Sequence, residues 1–180
     1  MTRFPFDELN TVLERLPLQL ALSKKEEIED DIEELLILSY VYGGDKAGSD
    51  LNITPKTDVS KLEAALYKDI DGKTFKDRLD EYIPLGNYED IKRVVETETH
   101  RLYTTGEYDT AMDMPQVMKK WVTMKDERVR MTHDYLEGME VDLNEPFFTF
   151  DGDSAMFPGD FTLAENNVNC RCELEFSYKG

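Results

Sequence analysis

Cysteine is nearly absent from this chain, with two residues in 180. That excludes a disulfide scaffold, in which several bridges replace an inadequate core. Long apolar runs are missing as well. No stretch reaches the roughly 18 residues a membrane helix needs, and the opening MTRFPFDELN has no apolar signal region. The expectation is a soluble protein that stays in the compartment where it is made. Positive charge is scarce: 21 Lys plus Arg stand against 39 Asp plus Glu, a formal net charge of −18. Long-range repulsion disfavours a broad nucleic-acid-binding face, although a local patch such as VMKKW stays open. Glycine-rich phosphate loops, G-x-S-x-G elbows and H-E-x-x-H helices are also absent.

What is present suffices for a packed core, since 40% of residues are hydrophobic and 11% aromatic. FDELNTVLERL spaces Leu9, Val12, Leu13 and Leu16 along one helical face, with Pro17 as the expected stop. In SKKEEIEDDIEELLILSYVYGG, Ser23 and Glu26 form a capping-box pattern. Ile28, Ile32, Leu35, Leu36 and Ser39 follow helical spacing, and Gly43-Gly44 is the expected end. The acidic face EEIEDDIEE reads first as solvated surface and second as a docking face for a basic partner. AGSDLNITPKTD has loop composition. VSKLEAALYKDI and KTFKDRLDEYI predict two helices around DIDGK. That turn is not a calcium loop, because Tyr67 and Arg78 occupy positions where acids are required. GNYEDIKRVVETETHRLYTTGEY predicts a further helix, capped by Asn87 and ended by Gly106. Glu98 sits at the edge of its buried face and needs a partner such as Arg101.

From about Met118 the texture changes. KKWVTM, PFFTFDGDSAMFPGDF and NCRCELEFSY predict strands and loops around one short helix, KDERVRMTHDYLEG. The expected fold class is α+β. A helical N-terminal region, residues 1–86, would pack on a small C-terminal α+β module, residues 87–180, with short antiparallel strands.

Candidate chemistry gathers in that last part. Asp126 and Arg130 are an i, i+4 pair, and Val129, His133 and Leu136 share a face, with Gly138 as C-cap. His133 beside apolar neighbours reads first as structural and second as a catalytic or metal-binding group. A strand over residues 169–176 would turn Cys170, Cys172, Leu174 and Phe176 inward and Arg171, Glu173 and Glu175 outward. Two residues along a strand separate Cα atoms by roughly 6.7 Å, at the far edge of disulfide reach. Buried thiols packing as hydrophobes are the first reading. Zinc held by His133, Cys170 and Cys172, with water or Asp126 as fourth ligand, is the second. The cofactor expectation is therefore none, with zinc as the alternative. Glu96 and Glu98 in ETETH match an ADP-ribosyltransferase-like Glu-x-Glu, but on a helix they face different ways.

The order of features in the last third is more specific than any one of them. It resembles the phage minor head protein family typified by the Mu F protein. The matching positions are Lys119 and Trp121; Asp126, Arg130 and His133; Gly138; Phe147 or Phe148; Pro158, Gly159 and Asp160; and Asn169, Cys170, Arg171 and Cys172. Thr97 and Glu98 with Arg101 are similar to the family's upstream Thr-Glu segment, and the specific part covers about residues 90–176. The resemblance implies a non-enzymatic component of head morphogenesis that associates with portal or inner capsid and aids DNA packaging or delivery. It would reside in the virion head interior, and in host cytoplasm during assembly. It implies no membrane partner, no small-molecule substrate and, at this charge, no direct nucleic-acid binding. Trp121, Asp126, Arg130, His133, Gly138 and Asn169 to Cys172 would then be a structural core signature, with Glu98 or Asp126 as the carboxylate for a buried Arg130. Some relatives carry toxin or enzyme domains after the NCRC segment; ending eight residues past Cys172, this sequence is expected to carry none. Two other functions are the alternatives. One is a transferase or nuclease using His133, Arg130 and a carboxylate. The other is a host-directed protein whose acidic helix around Glu26–Glu34 mimics a polyanion.

Overall fold

The computed structural model describes residues 4–180; Met1 to Arg3, which open the stretch read as lacking a signal region, lie outside them. Two long helices form the spine, α2 (Lys25–Leu51) and α5 (Tyr88–Ala111). Around them lie α1 (Phe6–Ala21), α3 (Val59–Leu66) and α4 (Phe75–Tyr82). Asp58 caps α3 by accepting from Ser60 and Lys61 N–H, and Thr74 with Asp77 forms a capping box on α4. Asn87 caps α5 through Asp90 N–H. Arg78 donates to the carbonyls of Ile70 and Lys73 and closes the DIDGK turn.

The expected helix ends at glycine are wrong, and the reason organises the fold. α2 runs past Gly43-Gly44 to Leu51, absorbing the first part of the expected loop, and stops at Asn52 in the left-handed region. α5 runs past Gly106 to Ala111. A Cβ on Gly43 would stand 1.8 Å from the Tyr103 carbonyl oxygen, and one on Gly106 would stand 2.0 Å from the Tyr40 carbonyl oxygen. These glycines are the reciprocal contact surface where two backbones meet. Each sacrifices about 1 kcal/mol of helix propensity for that approach. Pro17 likewise fails to stop α1. It removes only one backbone bond, while Leu16 and Leu20 on either side pack into the helical core. The Ser23–Glu26 capping box does not form either, because Ser23 takes a left-handed conformation ending the α1 turn, and Lys24 is the N-cap of α2.

The C-terminal part is an antiparallel sheet in the order β2-β1-β5, with β1 (Val117–Val122) between β2 (Glu140–Asp142) and β5 (Glu173–Tyr178). A small hairpin pairs β3 (Phe147–Phe148) with β4 (Ser154–Ala155). Two short helical turns, α6 (Met131–Asp134) and α7 (Ala164–Asn167), complete the α+β fold. β1 alternates inward and outward, so Val117, Lys119 and Trp121 all enter the core. Lys119 therefore belongs to no surface basic patch. Its Nζ donates to the Met156 carbonyl at 2.7 Å and lies over the rings of Tyr108 and Phe147. Burial brings its pKa down to about 8 against the pull of Asp160 and Glu145.

One apolar cluster lies among the helices, around Leu16, Ile32, Leu36, Leu79, Ile91 and Leu102. A second surrounds Trp121 with Leu136, Phe147, Phe161 and Leu174, and it receives Ala47 and Leu51 from α2 and Tyr108 and Ala111 from α5. The spine thus serves both. β5 docks on α2 through Phe176 N–H to Asp50 and the Tyr178 hydroxyl to the Leu51 carbonyl. At that junction Lys46 contacts Asp50 at 2.9 Å, the Leu174 carbonyl, and Glu107 at 3.2 Å. The fully buried Glu107 carboxylate has no well-aligned hydrogen bond among the described residues, and it is met by Lys46 and the Leu174 backbone. Burial raises its pKa to about 8, opposed by Lys46 and reinforced by Glu173.

Two tests follow from this packing. Gly43→Ala or Gly106→Ala forces the helices apart and lowers stability by about 2–4 kcal/mol in urea titration. Gly44→Ala, whose one tight contact is the Thr110 side-chain hydroxyl at 2.9 Å, loses less. For Glu107 the folded value lies above the ordinary 4.5, so its stabilising contribution is complete below about pH 4.5 and is lost as pH rises through about 8. Glu107→Gln is expected to flatten the pH 5-to-8 fall in unfolding free energy and to be the more stable form at pH 8. Denaturation at both pH values checks this.

Candidate functional site

The candidate site forms where five segments meet: β1, the α6 turn, the Pro158–Phe161 stretch, the Asn169–Cys172 lead into β5, and the middle of α5. The expected helix over 125–138 shrinks to α6. Lys125 is left-handed, the Asp126 carboxylate accepts from Arg128 N–H, and Arg130 is extended. The expected strand over 169–176 begins only at Glu173. Asn169 at φ 56° turns the chain, and Cys170 N–H closes onto Asn167. Alternation nevertheless continues back through the turn, so Cys170, Cys172, Leu174 and Phe176 are buried while Arg171 points outward.

His133, Cys170 and Cys172 come together. His133 Nδ1 lies 3.6 Å from Cys170 Sγ and 3.4 Å from Cys172 Sγ. Both thiols are free. The Cys172 thiol lies within hydrogen-bonding reach of Cys170, which holds Cys170 below the ordinary thiol range and Cys172 above it. Phe161 stacks on the imidazole at 5.2 Å, and the fully buried Trp121 meets it edge-on at 5.7 Å. Gly138, at φ 73°, donates its N–H to the Trp121 carbonyl and brings α6 back to β1. Of the two candidate phenylalanines, Phe147 is buried against Trp121 at 5.1 Å and Phe148 is exposed.

The expected Asp126–Arg130 pair does not form. Asp126 receives both terminal nitrogens of Arg171, at 2.7 and 2.8 Å, which lowers its pKa to about 2. Arg130 instead donates to the Val168 carbonyl. Glu98 is not its partner either. Glu98 is buried on α5 and takes Arg101 Nε and Nη2 at 2.8 and 2.6 Å. Nor is Asp126 placed as a fourth metal ligand, because both its oxygens are engaged by Arg171. Glu96 lies one turn from Lys92, on another side of α5 from Glu98.

Several contributors escaped the sequence reading. His100 is buried, its Nε2 2.7 Å from the Cys172 carbonyl; burial depresses its pKa to about 4, so the neutral ring donates. Thr104 donates to the Pro158 carbonyl, and Gly159 at φ 89° lies against Arg101, which seats the Pro-Gly-Asp turn on α5. Asp153 accepts from the N–H groups of Ser154, Thr162 and Leu163 and from Asn166 Nδ2. Burial opposes its ionisation, yet these four donors bring its pKa below the ordinary range. The available signal was Gly106, since a glycine inside a helical pattern marks close packing and hence a helix surrounded on all sides.

Two cavities border this region. One of about 10 Å³, room for a single water, is lined by His133, Cys170, Cys172, Arg130 and Asn169. The other, of about 260 Å³, is lined by residues that include Arg78, Arg93, Glu98, Arg101, Asn167 and Val168. His133 and Glu98 thus border different spaces.

The family model described as phage Mu protein F like protein matches residues 60–175. A 90-residue stretch is 38% identical to an NAD(+)–arginine ADP-ribosyltransferase of Enterococcus faecalis, covering 48% of this chain and 18% of that protein. An 87-residue stretch is 30% identical to a minor head protein of Bacillus phage SPP1, covering 47% of this chain and 28% of that protein. The chain therefore spans less than a third of either of these curated relatives. No solved structure matches it.

The two ion pairs separate in their expected worth. Glu98→Ala strands a buried guanidinium and is expected to lower unfolding free energy by about 3–5 kcal/mol. Asp126→Ala breaks a solvent-facing pair and changes stability little. Paired chemical denaturation curves distinguish them.

Proposed function

The chain belongs to the phage Mu protein F like family, matched over residues 60–175, and from that membership we propose that it is a phage minor head protein acting in head morphogenesis. It associates with portal or inner capsid and aids DNA packaging or delivery. Its place is the head interior in the virion and the host cytoplasm during assembly. The similarity to the SPP1 minor head protein supports this reading.

The observation that carries it is the closed hub. A docking module needs a rigid surface and no open reaction centre. The signature residues His133, Trp121, Cys170 and Cys172 are buried against one another beside a space for one water. A cluster of His133, Arg130 and Glu98 around one cleft would favour the enzyme alternative; His133 and Arg130 line one cavity, while Glu98 binds Arg101 and lines another. Similarity to the transferase covers 18% of that protein and supports shared ancestry of a segment rather than its activity. At a net charge of −18, contact with DNA falls to partner proteins. No helix among the described residues is long and apolar enough to cross a membrane.

The C-terminal part also presents exposed apolar groups suited to a protein partner. Met131 is 79% exposed, and Tyr135, one turn later, packs edge-on against Phe150 with Phe148 nearby along the chain. Co-sedimentation with assembled portal rings is the test. The native chain is expected to pellet with the rings. A Tyr135→Ser, Phe150→Ser double variant should lose at least about tenfold in apparent affinity with unchanged circular dichroism. A folded native chain that ignores both portal and procapsid overturns the proposal.

A further inference from the structure

The His133, Cys170 and Cys172 side chains are more than a packed hub. Their ligand atoms lie within 4.8 Å of one another, with nitrogen-to-sulfur separations of 3.4 and 3.6 Å. Zinc bonds of about 2.0–2.1 Å to nitrogen and 2.3 Å to sulfur, at tetrahedral angles, place neighbouring nitrogen and sulfur about 3.5 Å apart. We propose that His133, Cys170 and Cys172 hold one zinc ion, with a single water as the fourth ligand.

Both sulfurs converge on the same Nδ1, which offers either one lone pair or one N–H. Hydrogen bonding links the three groups only as a chain, one thiol to the other and one thiol to the ring, whereas a single cation meets all three ligand atoms directly. On binding, the two thiol protons leave to solvent and the ring supplies its Nδ1 lone pair. Two thiolates and an imidazole select zinc over the hard cations magnesium and calcium. The 10 Å³ cavity lies against these same three residues, which matches a position for one water.

The surroundings already fix each ligand. Phe161 and Trp121 clamp the imidazole plane, and the buried Nε2 has no hydrogen-bond partner among the described residues. Ring packing therefore does the orienting that an outer-shell carboxylate does at many metal sites. His100 holds the Cys172 carbonyl, and Asp126 holds Arg171 outward, so the residues flanking that arginine turn their sulfurs in. Such an ion would join α6 to the lead of β5, which lies 37 to 39 residues away along the chain.

The experiment uses the full chain, prepared without a histidine tag. Elemental analysis is expected to show about one equivalent of zinc. Chelation should lower Tm by roughly 5–15 °C, and added zinc should restore it. Cobalt substitution should give sulfur-to-cobalt charge-transfer absorption and intense visible bands, a readout that needs no variant. Cys172→Ser should lose the metal; if it fails to fold, the cobalt spectrum of the native chain decides. A metal-free native protein whose Tm ignores added zinc overturns the proposal. So does zinc retained in a folded Cys170→Ser, Cys172→Ser variant, or a cobalt form without charge transfer.

Discussion

Everything in this molecule hangs from the backbone contact of α2 with α5. Gly43 and Gly106 let each helix meet a carbonyl of the other, at Tyr103 and Tyr40. No other residue type has room there. Because the helices sit so close, the middle of α5 is enclosed from Glu98 to Tyr108, apolar and polar residues alike. Polar groups enclosed in this way must find partners inside the protein. Those partners are the loops of the C-terminal part, so one packing constraint dictates where the signature segments land.

The enclosed polar groups of α5 then act as a jig. Arg101 with Glu98 forms the flat bed on which Gly159 rests, Thr104 holds Pro158, and His100 holds the Cys172 carbonyl. Lys46 and Glu107 join the spine to β5. On the far side, Asp153 gathers backbone N–H groups around Thr162 and Leu163 with Asn166. These contacts tie irregular segments as firmly as a larger sheet would, and they leave few degrees of freedom at the His133–Cys170–Cys172 junction. A rigid, closed hub with exposed aromatic residues on its outer side is consistent with the proposed role in a head assembly. The acidic surface favours solubility and discourages stray contact with nucleic acid.

Much of this was legible beforehand. Helical spacing located α2, α3, α4 and α5, period-two alternation placed Cys170, Cys172, Leu174 and Phe176 inside, and the family resemblance placed Trp121 in the core signature. The order of short motifs pointed to the family that the comparison then identified. Residue parity in β1 also held the burial of Lys119 in plain view, hidden only by the habit of placing lysine outside. The errors share a physical origin. Gly43, Gly106 and Pro17 were read by local propensity, which tertiary packing overrode. The 125–138 helix failed because Asp126 and Arg130 spent their side chains on Arg171 and Val168, far along the chain.

By itself the sequence determined the α+β class, the positions of the long helices, the inward face of the cysteines and membership of a family defined by motif order. These depend on periodicity and residue type, which act over a few residues. The tertiary structure alone decided which charges pair, that Glu98 belongs to Arg101 and Asp126 to Arg171, and that one imidazole meets both sulfurs. Such choices arise between residues tens of positions apart, where distance in space bears no relation to distance along the chain.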